Sequence, residues 1–133
     1  MSPRQFDIFA HPRKQRPPLE KELAQMIGEF LGLHGWSVYR VQSGLFSRPG
    51  SLKARVRVGA KGMPDYRAER ALRLTFPGAM SVLWYETKRK GERPRPEQEL
   101  WLSRLRIAGA CAEWWDDYEE FLKWYYATYK DLR

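Results

Sequence analysis

Along residues 19–33 the apolar positions Leu23, Ala24, Ile27, Phe30 and Leu31 recur at helical intervals, and Gly35 follows as a stop, so the pattern predicts a first helix. Residues 36–42 then alternate Trp36, Val38 and Arg40 against Ser37, Tyr39 and Val41, a strand ended by Ser43-Gly44. Residues 43–63 hold four glycines with little periodicity and read as a long loop with room for one short strand at 54–58. Two β-compatible runs, 65–75 and 80–88, flank the turn sequence Phe76-Pro77-Gly78-Ala79 and predict a hairpin. Pro94 and Pro96 introduce a second helix that runs to Ala108 and stops at Gly109. A strand at 110–115 and a last helix at 117–129 follow. The order αβββαβα predicts an α/β domain with a mixed sheet of about four strands between flanking helices.

The length of 133 residues suits one domain, expected over 19–133, behind a proline-containing basic arm at 1–18. A single cysteine and two histidines exclude a disulfide framework and a structural zinc site. The polar start shows no apolar run of signal-peptide length, so the expected location is cytoplasmic, with no membrane partner. Charge sharpens the picture. The net charge is +8, and residues 37–73 alone carry nine basic against two acidic residues, whereas 113–133 carry three against six. A localised basic field suits a polyanion such as nucleic acid, though it also serves solubility. The candidate DNA contacts are Arg48, Lys53, Arg55, Arg57 and Lys61 in the basic middle, with Arg89 and Lys90 beyond the hairpin.

Five residues break the hydrophobic pattern. At ~100° per residue, Glu20 falls within about 20° of Ile27 and so points along the apolar face of the first helix, although an acid in a first turn also faces the positive end of the dipole. On the second hairpin strand, Val82, Trp84, Glu86 and Lys88 share one face and Ser81, Leu83, Tyr85 and Thr87 the other. Glu86 and Lys88 therefore continue a face of core positions, or else form a solvated strand end. Asp65 follows Gly62-Met63-Pro64 at the open end of the hairpin, where it is brought near Glu86, unless it serves only its own turn. Gln98 lies on the Trp101, Leu102 and Leu105 face of its helix, where it either reaches a site or caps backbone groups. Two carboxylates suit a hard dication such as Mg²⁺, and an adjacent ammonium suits a phosphoryl transition state.

Gly62-Met63-Pro64-Asp65 followed by Glu86-Thr87-Lys88 resembles the PD-(D/E)XK nuclease superfamily, with its restriction-endonuclease-like core. Glu20 on the first helix, the lead-in Gly59-Ala60-Lys61-Gly62, Gln98 with Trp101-Leu102, and the closing Ala108-Gly109 look like its VRR-NUC family, over about residues 19–125. The resemblance implies that Glu20, Asp65 and Glu86, with the Thr87 backbone carbonyl, hold Mg²⁺ or Mn²⁺, that Lys88 is catalytic and that Gln98 helps organise the site. The 21-residue step from Asp65 to Glu86 is long for a tight hairpin.

The resulting expectation is a metal-dependent DNA endonuclease of phage or bacterial type acting on branched duplexes such as Holliday junctions or flaps. Eight aromatics lie between Trp114 and Tyr129. Tyr118, Phe121, Leu122, Tyr125 and Tyr129 form one stripe, and Trp124 projects on roughly the opposite side, where it is expected to be exposed and to serve as a homodimer contact. The rival expectations are a non-enzymatic nucleic-acid-binding protein and a sequence-specific restriction-type endonuclease.

Overall fold

Helix α1 spans Glu20–Leu33 and buries Leu23, Ala24, Ile27 and Leu31, the stripe that its periodicity requires. Its end is a Schellman motif. Gly35, at φ +86°, donates to the Gly32 carbonyl at 3.2 Å, and Trp36 donates to the Leu31 carbonyl at 3.0 Å, so two orphan carbonyls are satisfied as the chain turns into the sheet. At the other end, Glu22 accepts from Arg16 at 2.9 Å and from the Leu19 amide at 3.3 Å. The Arg16 bond is the larger cause holding the Glu22 carboxyl below the usual range, with the Leu19 amide second.

The protein is described here by a computed structural model covering residues 16–41, 44–47, 55–58, 61–71 and 80–130, with 44–47 and 55–58 described as backbone only. The strands are β1 (Ser37–Arg40), β2 (Gly44–Ser47), β3 (Arg55–Val58), β4 (Tyr66–Ala71), β5 (Met80–Thr87) and β6 (Cys111–Trp115), and the remaining helices are α2 (Pro96–Ile107) and α3 (Tyr118–Thr128). One sheet has the order β1-β4-β5-β6, antiparallel except for the parallel β5–β6 pair, which α2 connects. The architecture is α/β, a four-stranded mixed sheet with three helices. None of the described helices is long and apolar enough to cross a membrane.

Two expectations are corrected. The 43–63 segment is more than a loop with one strand: β2 and β3 pair antiparallel from Gly44↔Val58 to Ser47↔Arg55 as a separate two-stranded sheet. Gly44 and Ser47 read as breakers in the sequence, yet each ends a ladder whose inner residues, Leu45 and Phe46, favour strands. The hairpin itself stands, paired from Tyr66↔Tyr85 to Ala71↔Met80, so the long step does not displace its open end. Its expected turn and the arm at 1–15 lie outside the described residues.

The principal core lies on one face of the sheet. There Ile27 and Leu31 of α1 meet Ala68, Leu83, Tyr85 and Trp115 of the strands and Phe121 and Tyr125 of α3. Trp36 donates its indole N–H to the Tyr125 hydroxyl at 3.0 Å inside this core, which satisfies both polar tips. Trp124 belongs to the same packing. The expectation of an exposed Trp124 is therefore corrected: its ring meets Trp115 edge-on at 5.1 Å and Tyr129 at 5.5 Å, and it is half-buried. An indole at roughly 120° from the stripe is long enough to lean back over it. The exposed aromatic of α3 is Tyr126.

Candidate active site

Strand β5 is the third of four, flanked by β4 and β6, so its C-terminal end is enclosed rather than frayed. Thr87 pairs with Trp115, and the Lys88 amide extends that ladder to the Trp115 carbonyl at 2.9 Å. This enclosure decides between the two readings of Glu86. Its side chain is 0 % exposed, and neither carboxylate oxygen has a hydrogen-bond partner. A bare buried carboxylate is costly, so such an arrangement calls for a proton or a cation.

The electrostatics identify its neighbours. Burial pushes the Glu86 carboxyl up to about 7; the Asp65 charge adds to the rise, Lys88 opposes it, and Glu20 and then Arg95 act more weakly in their respective directions. The acids and the lysine singled out in the sequence thus all act on one carboxylate.

Local structure explains their placement. The Val41 amide donates to the Asp65 carbonyl at 2.7 Å, which carries the β1–β4 pairing one residue further and sets Asp65 at the open end, next to the Tyr66↔Tyr85 pair. Upstream, Gly62 has φ +88°, and a Cβ there would stand 2.6 Å from the Glu97 carbonyl oxygen. The lead-in therefore presses directly on the first turn of α2, and Trp101 fastens it by donating to the Lys61 carbonyl at 2.9 Å. Gly62→Ala is expected to destabilise the fold by about 2 kcal/mol or more, because backbone must move as well as adopt a strained φ. A urea melt checks this, and an unchanged midpoint would contradict the close approach.

Glu20 is brought in by a cross-link between α1 and β5: the Thr87 hydroxyl donates to the Glu20 carbonyl at 2.9 Å. A cleft of about 340 Å³ opens here, and Glu20 and Asp65 line it together with Thr87, Arg40, Lys21 and Arg89. Glu86 does not line this cleft. By strand parity it points from the other face of β5, and both cleft acids act on it, Asp65 more strongly than Glu20.

No ion pair or side-chain hydrogen bond engages the Glu20 or Asp65 carboxylate or the Lys88 ammonium among the described residues. Glu20, Asp65 and Glu86, the last with both oxygens uncommitted, are oxygen donors of the chemical type that a cation of the Mg²⁺ class takes. Among the described residues, however, no three His, Cys, Asp or Glu side chains form a preassembled metal cage.

Gln98 is buried, and its Oε1 accepts from the Arg95 amide at 2.8 Å. This is the backbone-capping role that its sequence position allowed, and it fixes the start of α2. Among the candidate DNA contacts, Arg89 lines the cleft, Lys61 stands 3.9 Å from Glu97 and Lys90 3.6 Å from Asp117. Arg55 and Arg57 occupy β3 at alternate positions of its backbone. Arg48 and Lys53 lie outside the described residues. Sequence reasoning missed Arg95 and Arg40. Arg95 precedes a helix and carried no motif signal, while Arg40 was legible only as one of an alternating set in β1.

Comparison with known proteins finds no match: no protein-family model, no curated protein and no solved structure is significantly similar to the chain.

Proposed function

We propose that the protein is a Mg²⁺- or Mn²⁺-dependent endonuclease that hydrolyses DNA phosphodiester bonds, as the resemblance to VRR-NUC nucleases on a restriction-endonuclease-like core implies. The observation that carries this reading is the fully buried Glu86 carboxylate, unpaired at both oxygens, under the charges of Asp65, Glu20 and Lys88. A purely structural acid buried at a strand end would be expected to find a protein donor.

Glu86, Asp65 and Glu20, with the Thr87 backbone carbonyl, would hold the ion. When bound, it would lower the pKa of a coordinated water and offset charge on the phosphate. Lys88, on the Glu86 face of β5, supplies an ammonium for charge that develops on the phosphoryl oxygens. Arg89 places a further cation at the cleft. The Thr87–Glu20 bond keeps α1 and β5 in register around the acids, and the Gln98–Arg95 bond holds the start of α2, from which Arg95 acts on Glu86.

The net charge of +8 favours association with duplex DNA. Branched duplex is the proposed substrate and a homodimer the proposed working form, each on the family resemblance alone. The test is cleavage of labelled four-way junctions, flaps and plain duplexes with and without millimolar Mn²⁺. Metal-dependent cutting is expected, strongest on a branched substrate. Binding without cutting of any substrate would favour the non-enzymatic nucleic-acid-binding reading.

A further inference from the structure

The acid-lined cleft continues into a second open groove of about 390 Å³ between α1 and β1, and the two share Lys21, Arg40 and Tyr66. The groove stays open because α1 presents Gly28 there, with no side chain to fill the space above Val38 and Tyr85. At its floor Tyr85 is 0 % exposed, and its hydroxyl has no hydrogen-bond partner.

The cations at the junction are also uncommitted. Arg40 and Lys21 are both exposed, and no acid among the described residues forms an ion pair with either. Two neighbouring acids, Glu20 and Asp65, line the same cleft without closing onto them. Other basic residues do pair with acids, among them Arg16, Lys61, Lys90, Arg95, Arg106 and Lys123, whereas the exposed Arg89, Arg93, Arg104 and Lys130 do not among the described residues; Arg40 and Lys21 differ from these last in standing together where cleft and groove meet.

We propose that Arg40 and Lys21 form a phosphate-binding subsite at the junction of cleft and groove, which holds a backbone phosphate of the nucleic acid next to the acid cluster. The proposal rests on the nuclease reading and adds the residues that fix the register of the strand. Arg40 sits on β1 opposite Tyr66, the residue that follows Asp65, so a phosphate held there is set at a fixed distance from the acids by strand pairing. The planar guanidinium can grip two phosphate oxygens, whereas Lys21 acts as a point charge. The free Tyr85 hydroxyl offers a neutral donor deeper in the groove. Arg40 and Lys21 are positioning residues and take no part in bond breaking.

The test is fluorescence anisotropy of a labelled DNA duplex in EDTA at several salt concentrations, with wild-type protein, Arg40→Ala, Arg40→Lys, Lys21→Ala and Arg104→Ala. Arg104 is an exposed cation on α2 and reports loss of one unit of charge at a distance. Arg40→Ala and Lys21→Ala are each expected to weaken binding several-fold and to lower the slope of log affinity against log salt by about 0.9, one phosphate contact. Arg104→Ala should do neither, and Arg40→Lys should recover the slope. Equal effects of Arg40→Ala and Arg104→Ala would overturn the subsite even if the wild type cuts DNA. Wild-type binding with the predicted Arg40 effect but no metal-dependent cutting would overturn the nuclease reading and leave the subsite standing. A wild type that fails to bind DNA would overturn both.

Discussion

Glu86→Gln is expected to abolish metal-dependent cleavage and, in the same protein preparation, to make the metal-free fold more stable at pH 8. Loss of cleavage follows from replacing a hard anionic ligand by a neutral amide, and a fall of at least about 10³-fold is expected. The gain in stability follows from the carboxyl being held at about 7 in the folded protein, above its ordinary 4.5, chiefly by burial. A raised carboxyl pKa means that the fold prefers the protonated form. The stability this gives is fully present below pH 4.5 and is lost as the pH rises through 7.

A displacement of that size corresponds to about 3 kcal/mol between pH 4.5 and pH 8. Glutamine keeps the shape and carries no charge, so the variant should escape this loss. In EDTA its Tm should match that of the wild type at pH 5 and exceed it by roughly 10 °C at pH 8. A difference in Tm that is the same at both pH values would mean that Glu86 is not the strained group.

Lys88→Met is expected to lower the cleavage rate by about 10²–10³-fold while substrate affinity and Mn²⁺ binding stay close to wild type. The split arises because the ammonium acts on charge that develops during reaction, whereas the ion is held by carboxylates. Single-turnover cleavage beside Mn²⁺ calorimetry separates the two. Loss of Mn²⁺ binding in this variant would give Lys88 a structural role in assembling the acids. The same substitution removes the one neighbouring lysine that holds the Glu86 carboxyl down, so metal-free stability should fall further at pH 8 than at pH 5.

The periodic parts of this fold are legible in the sequence. Ile27 and Leu31 mark the buried side of α1 and Phe121 and Tyr125 that of α3, because a face buried against a neighbour imposes its period on the residues. In β5 the alternation is legible but its core face is not: the sequence offers Val82 and Trp84 as core positions, whereas Leu83 and Tyr85 are fully buried and Val82 and Trp84 only half-buried. Gly35 and Gly109 mark helix ends because each adopts a positive φ in a Schellman motif. The β2–β3 pair was not legible. Four-residue strands that begin at Gly44 and end at Ser47 carry too short an alternation to stand out among four glycines.

The candidate site divides in the same way. Asp65, Glu86 and Lys88 were found from one strand's parity and the order of the motif. The depth of Glu86 was not, since a strand end is dry or wet according to its neighbours in the sheet, and the parallel β6 strand that encloses it comes 25 residues later. Arg95 and Arg40 reach the site through tertiary placement alone. Trp124 shows the converse error: it stands about 120° from the stripe rather than opposite it, and the reach of its indole over Trp115 is set by the strand beneath it.

The central claim is that Glu86, Asp65 and Glu20 together receive one hard divalent cation. Calorimetric titration of Mn²⁺ into wild-type protein, Glu86→Gln, Asp65→Asn and Glu20→Gln tests it most directly. The account predicts saturable binding by the wild type, no measurable binding by Glu86→Gln and at least about tenfold weaker binding by each of the other two. Mn²⁺ binding that survives Glu86→Gln unchanged, or that the wild type never shows, would contradict it.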